Sequence, residues 1–186
     1  MIHICYGLFD RDGRYSKFAG TSIASIFENT SEEVTIHLLH DNTLSFENRS
    51  KFNAVVDKYN QQIKFYNVET LAVKDVEEIK DTFKLISNTR FSMGTLYRLL
   101  IPKLLAKSIT KVIYLDADII VNCNINNLWN VDLAEYPLAA VPEYANGLKF
   151  ELGKYLITSG MVDGEDYLNA GVLLLNLDKV RQDNDF

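Results

Sequence analysis

The distribution of hydrophobic residues along the chain predicts a layered α/β protein. Short apolar runs rich in Val, Ile and Tyr, bounded by polar residues, are interpreted as strands. They cover residues 2–6, 34–39, 63–68, 112–115, 138–141 and 172–175. Several of these runs are continuously hydrophobic rather than alternating, which is typical of parallel strands covered by helices on both faces. We therefore expect a mostly parallel central sheet.

Segments between these strands carry apolar residues at the spacing of an amphipathic helix. The expected sheet-facing sets are Ala19, Ile23, Ile26 and Phe27; Phe52, Val55, Val56 and Tyr59; and Leu96, Leu99, Leu100 and Leu104. The sequence contains no internal repeat, low-complexity segment or linker rich in Pro, Gly or Ser. Residues 1–186 are therefore predicted to form a single domain. Asp183 and Asn184 could begin a helix that is not continued, so we expect a chain shortened at its C-terminus.

The charge balance argues against nucleic acid as a partner. The chain has 25 acidic and 19 basic residues, a formal net charge of −6, and no cluster of Lys and Arg. A surface that follows a phosphate backbone needs such a cluster. A phosphate group bound by this chain would instead need a cation beside it.

Composition and the N-terminal residues favour a cytoplasmic protein. The hydrophobic fraction of 47% and the charged fraction of 24% are typical of soluble globular chains. The chain lacks a basic leader and any apolar run near the roughly 20 residues that span a bilayer, so no transmembrane segment is predicted. Membrane association would depend on residues beyond Phe186. Cys5 and Cys123 belong to no C-x-x-C pair and lie in apolar surroundings, which predicts two buried thiols.

The strongest candidate site follows the fourth predicted strand, where Asp116 and Asp118 come directly after an apolar run. Residues two apart in extended backbone point to the same side. Open α/β sheets bind ligands outside the carboxyl ends of their strands. Mg²⁺ and Mn²⁺ prefer one or two carboxylates together with water and phosphate oxygens. The pair is predicted to hold a divalent cation, although an isolated D-x-D also fits a strand cap followed by a solvated turn residue.

The loop after the first strand is a candidate nucleoside site. Residues 7–15 combine glycines with Asp10 and Asp12, and place Tyr15 just before a helix. The glycine spacing excludes the phosphate loop G-x-x-x-x-G-K-[ST] and the dinucleotide motif G-x-G-x-x-G. An acidic surface loop is the alternative interpretation.

Two further segments carry polar groups next to apolar ones. Arg98 lies among the leucines of the third predicted helix, so its charge needs either a partner or access to water. Asn169 and Gly171 stand just ahead of the last predicted strand, where a glycine permits close approach of the backbone.

Together these segments resemble glycosyltransferase family 8, the group that contains bacterial lipopolysaccharide galactosyl- and glucosyltransferases and glycogenin. The resemblance spans essentially the whole chain, and its most specific parts are Tyr114-Leu-Asp116-Ala-Asp118, Tyr97-Arg98 and Asn169-Ala170-Gly171-Val172. It implies a Rossmann-like, nucleotide-sugar-binding fold of the GT-A type that uses Mn²⁺ or Mg²⁺. It also implies transfer of galactose or glucose, with retention of configuration, from a UDP-hexose to a saccharide or lipid-linked saccharide acceptor.

The resemblance also implies roles for individual residues. Arg98 would contact the donor near its diphosphate and sugar, Tyr15 would stack on uracil, and Asp12 would bind the edge of the base. The implied metal ligands are Asp116 and Asp118. The implied nucleotide-binding residues are Tyr6, Gly7, Asp12, Tyr15, Arg98, Asp116 and Ala117, and the implied sugar-binding residues are Arg98, Asn169, Ala170 and Gly171.

The chain departs from the family pattern at several places. The family's Asp-Gln-Asp motif and its His-Tyr-x-Gly segment, which supplies a metal ligand, are absent from residues 1–186. Asp10 competes with Asp12 for the uracil contact, Arg14 stands where Asn is frequent, and Glu143 stands where Asp is frequent. The three histidines do not replace the missing ligand, because they fall on or beside the first two predicted strands as core or strand-end residues: His3, His37 and His40.

Two other functions compete with the transferase. A phosphatase of the haloacid dehalogenase kind would use Asp116 as nucleophile and Asp118 as acid or base, but that family usually places the motif near the N-terminus. A non-catalytic nucleotide-sugar-binding module is the other alternative. No catalytic nucleophile is assigned, since no pair of carboxylates suggests the double displacement of retaining hydrolases.

Overall fold

The computed structural model of the chain describes residues 1–85, 92–142 and 168–182. Its strands are β1 (Ile2–Leu8), β2 (Val34–His40), β3 (Gln62–Asn67), β4 (Lys111–Leu115), β5 (Leu138–Pro142) and β6 (Leu168–Asn176). Its helices are α1 (Arg14–Asn29), α2 (Phe46–Lys58), α3 (Val68–Leu71), α4 (Val73–Leu85), α5 (Met93–Leu96), a 3₁₀ helix (Tyr97–Leu100), α6 (Ile101–Leu104), α7 (Asn126–Trp129) and α8 (Leu177–Gln182). All six predicted strands are present. None of these helices is long and apolar enough to cross a membrane.

The strands form one sheet in the order β3-β2-β1-β4-β6-β5. β1 pairs in parallel with β2 and β4, and β2 pairs in parallel with β3. β6 runs antiparallel between β4 and β5. The predicted mostly parallel α/β sheet is therefore confirmed.

Side chains from the two faces of the sheet form two separate hydrophobic clusters. On one face, Ile4 and Tyr6 of β1 pack with Ile23 and Ile26 of α1. On the other face, Tyr114 of β4 belongs to the cluster that the helices after β3 cover. Both faces of the central strands are buried because helices cover them, which explains their continuous hydrophobic runs.

The third predicted helix is the element that differs most from expectation. Instead of one continuous helix, α5, the 3₁₀ helix and α6 follow one another. A 3₁₀ helix has three residues per turn, which rotates the buried face away from the one predicted with α-helical spacing. Tyr97, Leu100 and Ile101 are buried, whereas Leu99 is 52% exposed. The expectation that Leu99 faces the sheet was wrong. α4 was not predicted, although Val73, Val76 and Ile79 recur at helical spacing within it.

The two cysteines differ in environment. Cys5 in β1 is fully buried, and burial raises the pKa of its thiol. Cys123 is exposed in an irregular segment after β4. The prediction of a buried thiol at Cys123 was wrong, because β4 ends at Leu115 and the following apolar residues do not continue as a strand.

The histidines are structural, as predicted. His3 Nδ1 lies 3.1 Å from His37 Nε2, and His37 Nδ1 lies 2.9 Å from the Tyr66 hydroxyl, so a hydrogen-bonded row crosses β1, β2 and β3. His40 is buried at the end of β2, where its Nδ1 lies 2.8 Å from the carbonyl oxygen of Asp41. Burial, together with the nearby charges of His3 and Lys64, lowers the pKa of His37 to about 3.

The buried His37 should make folding sensitive to mild acid. Its folded pKa lies below its ordinary value of 6.5, so the unfolded chain binds the extra proton first, and stability falls as the pH drops below about 6.5. One such group contributes up to roughly 1.4 kcal/mol per pH unit, or about 2 kcal/mol between pH 7 and pH 5. Urea unfolding at the two pH values measures this loss. A His37→Gln variant should lose less of its free energy of unfolding between pH 7 and pH 5. An equal loss in both proteins would contradict the role of His37 in this pH dependence.

Candidate functional site

A cleft of about 190 Å³ opens at the carboxyl edge of β1 and β4. Five of the residues predicted for the nucleotide or the metal line it, namely Gly7, Tyr15, Asp116, Ala117 and Asp118. Because β6 runs antiparallel to β4, its first residues reach the same edge of the sheet. The arrangement agrees with the general position of ligand sites in open α/β sheets.

Arg98 forms an ion pair with Asp116, which supplies the partner expected for a charge among leucines. Its Nη2 donates to Oδ1 of Asp116 at 2.9 Å, and only 11% of the Arg98 side chain is exposed. Its Nε donates to the carbonyl oxygen of Thr95 at 2.6 Å, and its Nη1 donates to the carbonyl oxygen of Ala170. Arg98 therefore joins the 3₁₀ helix, the end of β4 and the start of β6.

Tyr114 completes this cluster from within β4. Its hydroxyl donates to Oδ1 of Asp116 at 2.8 Å, and its ring lies under the guanidinium of Arg98, 4.5 Å from Cζ to the ring centroid. Burial raises the pKa of Tyr114 well above its ordinary value, so the hydroxyl stays protonated and remains a donor.

The start of β6 contacts Asp116 through its backbone. The backbone N–H of Asp116 donates to the carbonyl oxygen of Gly171 at 2.8 Å, and the N–H of Gly171 donates to Oδ1 of Asn169 at 2.9 Å. Asn169, Ala170 and Gly171 belong to β6 itself rather than preceding it as predicted. Ala170 nevertheless contacts Arg98, Gly171 contacts Asp116, and Asn169 is bound to Gly171.

Gly171 is the residue that leaves room for the Asp116 carboxylate. A Cβ built on Gly171 would lie 3.0 Å from Oδ2 of Asp116 and 3.1 Å from Oδ1 of Asn169. We expect Gly171→Ala to displace the carboxylate and weaken Mn²⁺-dependent UDP binding by about tenfold, the lower range for loss of a metal-supporting contact. Calorimetric titration of the variant measures this. Unchanged affinity would show that Asp116 can move without consequence.

Asp116 and Asp118 have the properties that a divalent cation requires. Asp118 is exposed and has no hydrogen-bond or ion-pair partner within residues 1–85, 92–142 and 168–182. Oδ2 of Asp116 likewise accepts no hydrogen bond from that part of the chain. Groups of three or more His, Cys, Asp or Glu that could hold a metal are absent from the described residues. The pair thus fits a cation that takes its remaining ligands from water and phosphate.

The loop after β1 separates the two aspartates that competed for the base. Asp10 is buried, and its carboxylate accepts hydrogen bonds from Ser16 and from the Asn48 amide, the latter at 3.0 Å. Asp12 is on the surface, where its Oδ2 accepts from Nε of Arg14 at 2.6 Å. Asp12 is not among the residues that line the cleft. The Asp10 carboxylate is thus occupied by hydrogen bonds within the protein. The Asp12 side chain would have to turn towards the cleft to reach a nucleotide base.

Asp10 also supplies the N-terminal cap of α1. Gly13 occupies the cap position with φ of 76° and offers no side chain. The backbone N–H of Ser16 instead donates to Oδ1 of Asp10 at 3.1 Å. Asp10 precedes the cap residue Gly13 by three residues. This bond holds the start of α1, and Tyr15 with it, at the cleft.

The resemblance implies only a backbone contact for Tyr6, and Tyr6 is not among the residues that line the cleft. Its side chain is fully buried, and its hydroxyl lies 2.8 Å from Oγ of Ser22 in α1. Phe9, Ser92, Thr95 and Tyr114 also line the cleft, although the sequence assigned them no role. Thr95 lies one helical turn before Arg98, and this spacing could have predicted that Thr95 lies on the same side of the helix as Arg98.

Comparisons with known proteins identify the family and the fold. The model of glycosyl transferase family 8 matches residues 7–185. A putative glycosyltransferase of Haemophilus influenzae is 32% identical over 96% of this chain and 50% of its own length. The lipopolysaccharide 1,3-galactosyltransferase of Salmonella typhimurium is 31% identical over 95% of this chain and 48% of its own length. The chain thus spans about half the length of these curated relatives.

A solved structure gives the same fold. The galactosyltransferase LgtC, in complex with donor and acceptor sugar analogues, superimposes with a TM-score of 0.74 and is 28% identical. The superposition covers 98% of this chain and 60% of that one. The fold is therefore the GT-A type expected from the sequence, and the chain belongs to glycosyltransferase family 8.

Proposed function

We propose that the protein transfers a hexose, galactose or glucose, from a UDP-sugar to a saccharide or lipid-linked saccharide acceptor, with retention of configuration and with help from Mn²⁺ or Mg²⁺. The observation that carries this proposal is the cluster of Arg98, Asp116 and Asp118 at the cleft edge. One carboxylate there is held by a guanidinium and the other has no partner among the described residues. This combination suits a cation and a diphosphate bound side by side.

The cation would be held by Asp116 and Asp118. When bound, it would stabilise the negative charge that grows on the departing UDP as the bond to the anomeric carbon breaks. Arg98 adds a second positive charge beside Asp116, and its burial limits the solvent that would screen it. The diphosphate would therefore lie between two positive charges in a chain whose net charge is −6.

The base and the hexose would occupy opposite ends of the cluster. Tyr15 lines the cleft and is 43% exposed, so its ring is accessible to stack on uracil, with Gly7 in the same lining. The backbone of Tyr6 would approach the base from β1. On the β6 side, Ala170 contacts Arg98 and Gly171 contacts Asp116, and these two residues with Asn169 would hold the transferred sugar. Asp12 would reach the base only after releasing Arg14.

The family match favours this transferase over the phosphatase alternative. Relatives of the chain include lipopolysaccharide galactosyl- and glucosyltransferases, which supports a hexose donor and a saccharide acceptor. A non-catalytic nucleotide-sugar-binding module is the competing function, and metal-independent nucleotide binding would favour it.

Calorimetric titration of the chain with UDP, with and without Mn²⁺, tests the proposal. UDP binding that Mn²⁺ strengthens supports the donor site. Binding of equal strength without the metal would favour a nucleotide-binding module. Absence of binding under both conditions would contradict a donor site formed by these residues.

A further inference from the structure

The two oxygens of the Asp116 carboxylate have different surroundings. Oδ1 accepts two hydrogen bonds, from the Tyr114 hydroxyl at 2.8 Å and from Nη2 of Arg98 at 2.9 Å. Oδ2 accepts none from the described part of the chain and lies next to the space that the missing side chain of Gly171 leaves open. The carboxylate therefore has one oxygen bound to the protein and one oxygen available.

Tyr114 contacts both Arg98 and Asp116. Its hydroxyl binds Asp116, and its ring supports the guanidinium of Arg98 at 4.5 Å. The side chain is 1% exposed within a packed cluster, so the position of the hydroxyl is fixed by the core. Tyr114 and Asp116 are two residues apart at the end of β4, which places both side chains on the same side of the chain.

Arg98 alone does not fix the carboxylate. One hydrogen bond from Nη2 would leave Asp116 free to rotate about its side-chain torsions, whereas a second donor on the same oxygen restricts that rotation. The guanidinium is itself anchored by the carbonyl oxygens of Thr95 and Ala170. The two donors approach Oδ1 from different elements, β4 and the 3₁₀ helix, so together they define one orientation.

We propose that Tyr114 is a positioning residue that, together with Arg98, occupies Oδ1 of Asp116 and so presents Oδ2 to the divalent cation. This inference rests on the proposed donor site, because it concerns the same carboxylate. Outer-shell partners that orient a ligand typically contribute about 10- to 100-fold to metal affinity. Tyr114 acts in this way through Asp116, although Tyr114 itself also lines the cleft.

Tyr114→Phe is the direct test, because it removes one oxygen and keeps the ring beneath Arg98. Mn²⁺ affinity is measured at saturating UDP from the electron paramagnetic resonance signal of free Mn²⁺. We expect the affinity to fall by about tenfold. UDP binding without Mn²⁺ should change little, since Arg98 and the cleft are retained.

Tyr66→Phe is the matched control. It removes another partly buried tyrosine hydroxyl with a hydrogen bond, to His37 at 2.9 Å, on the same sheet but outside the cleft. Urea unfolding of both variants reports how much of any change comes from stability alone. Tyr66→Phe should keep the Mn²⁺ affinity of the wild type.

The outcomes separate the inference from the proposed function. Equal Mn²⁺ affinity in Tyr114→Phe and Tyr66→Phe, with a wild type that binds Mn²⁺ and UDP, would overturn the role of Tyr114 and leave the donor site intact. A wild type that does not bind Mn²⁺ in the presence of UDP would overturn the donor site and the inference with it. If Tyr114→Phe weakens UDP binding equally with and without Mn²⁺, the hydroxyl supports the cleft in general, which also overturns the inference.

Discussion

Replacing Asp118 by alanine is expected to remove the Mn²⁺-dependent part of UDP binding, with a loss of about 100-fold or more in affinity. Loss of an outer-shell partner typically costs about 10- to 100-fold, and Asp118 would be a direct ligand. Asp118 is exposed and makes no hydrogen bond or ion pair with the described residues, so its removal should leave the fold unchanged. Calorimetry with UDP at saturating Mn²⁺ measures the loss.

Asp57→Ala provides the control for charge. Asp57 is an exposed carboxylate on α2, away from the cleft, so the variant has the same change in net charge. Its UDP and Mn²⁺ affinities should equal those of the wild type. Retention of Mn²⁺-dependent binding in Asp118→Ala would contradict the assignment of this carboxylate to the metal.

Gly7→Ala is expected to destabilise the protein by about 3 kcal/mol, in the upper range for overpacking a close contact. A Cβ on Gly7 would fall inside contact distance of the carbonyl oxygen of Gly94 in α5. Gly94 in turn lies so close to the loop after β1 that its own Cβ would be 2.8 Å from the backbone nitrogen of Phe9. Neither backbone can retreat easily, because β1 pairs on both sides and α5 is covalently joined to the 3₁₀ helix.

Urea unfolding measures this effect, and Gly20→Ala is the matched control. A Cβ on Gly20 within α1 would meet only the Phe52 ring at 3.9 Å, an ordinary contact. Alanine favours a helix interior over glycine by up to about 1 kcal/mol, so this variant should be as stable as the wild type or more so. Equal stability of Gly7→Ala and the wild type would show that α5 can move away from β1.

Much of the sheet could be predicted because its strands are buried on both faces. Such strands show continuous runs of Val, Ile and Leu, and the runs at residues 34–39 and 112–115 coincide with β2 and β4 to within one residue. Continuous runs favour parallel pairing, which holds for β1 to β4, but the equally apolar run at residues 172–175 gave no sign that β6 is antiparallel. The helix before β4 was predicted less well, because a 3₁₀ segment inside it changes the residue spacing.

The candidate site could likewise be predicted only in part from the sequence. The D-x-D pair was visible because it follows an apolar strand, and Arg98 was visible because a charge among leucines needs a partner. The difference between Asp10 and Asp12 was not visible, since both are acidic residues in one glycine-containing loop. It arises from Ser16 of α1 and Asn48 of α2, which both bind Asp10. The contact with Asn48 depends on α2 packing beside α1, which the local sequence does not reveal.

The antiparallel direction of β6 has a consequence for how this site tolerates change during evolution. Leu115 of β4 pairs with Val172, and this register puts the only side-chain-free residue of β6 next to the Asp116 carboxylate. A shift by one residue would bring Ala170 or Val172 to that place and would also turn every side chain of β6 to the opposite face. Insertions and deletions within this strand should therefore be selected against as strongly as substitutions of the aspartates, because strand alignment itself shapes the space around the carboxylate.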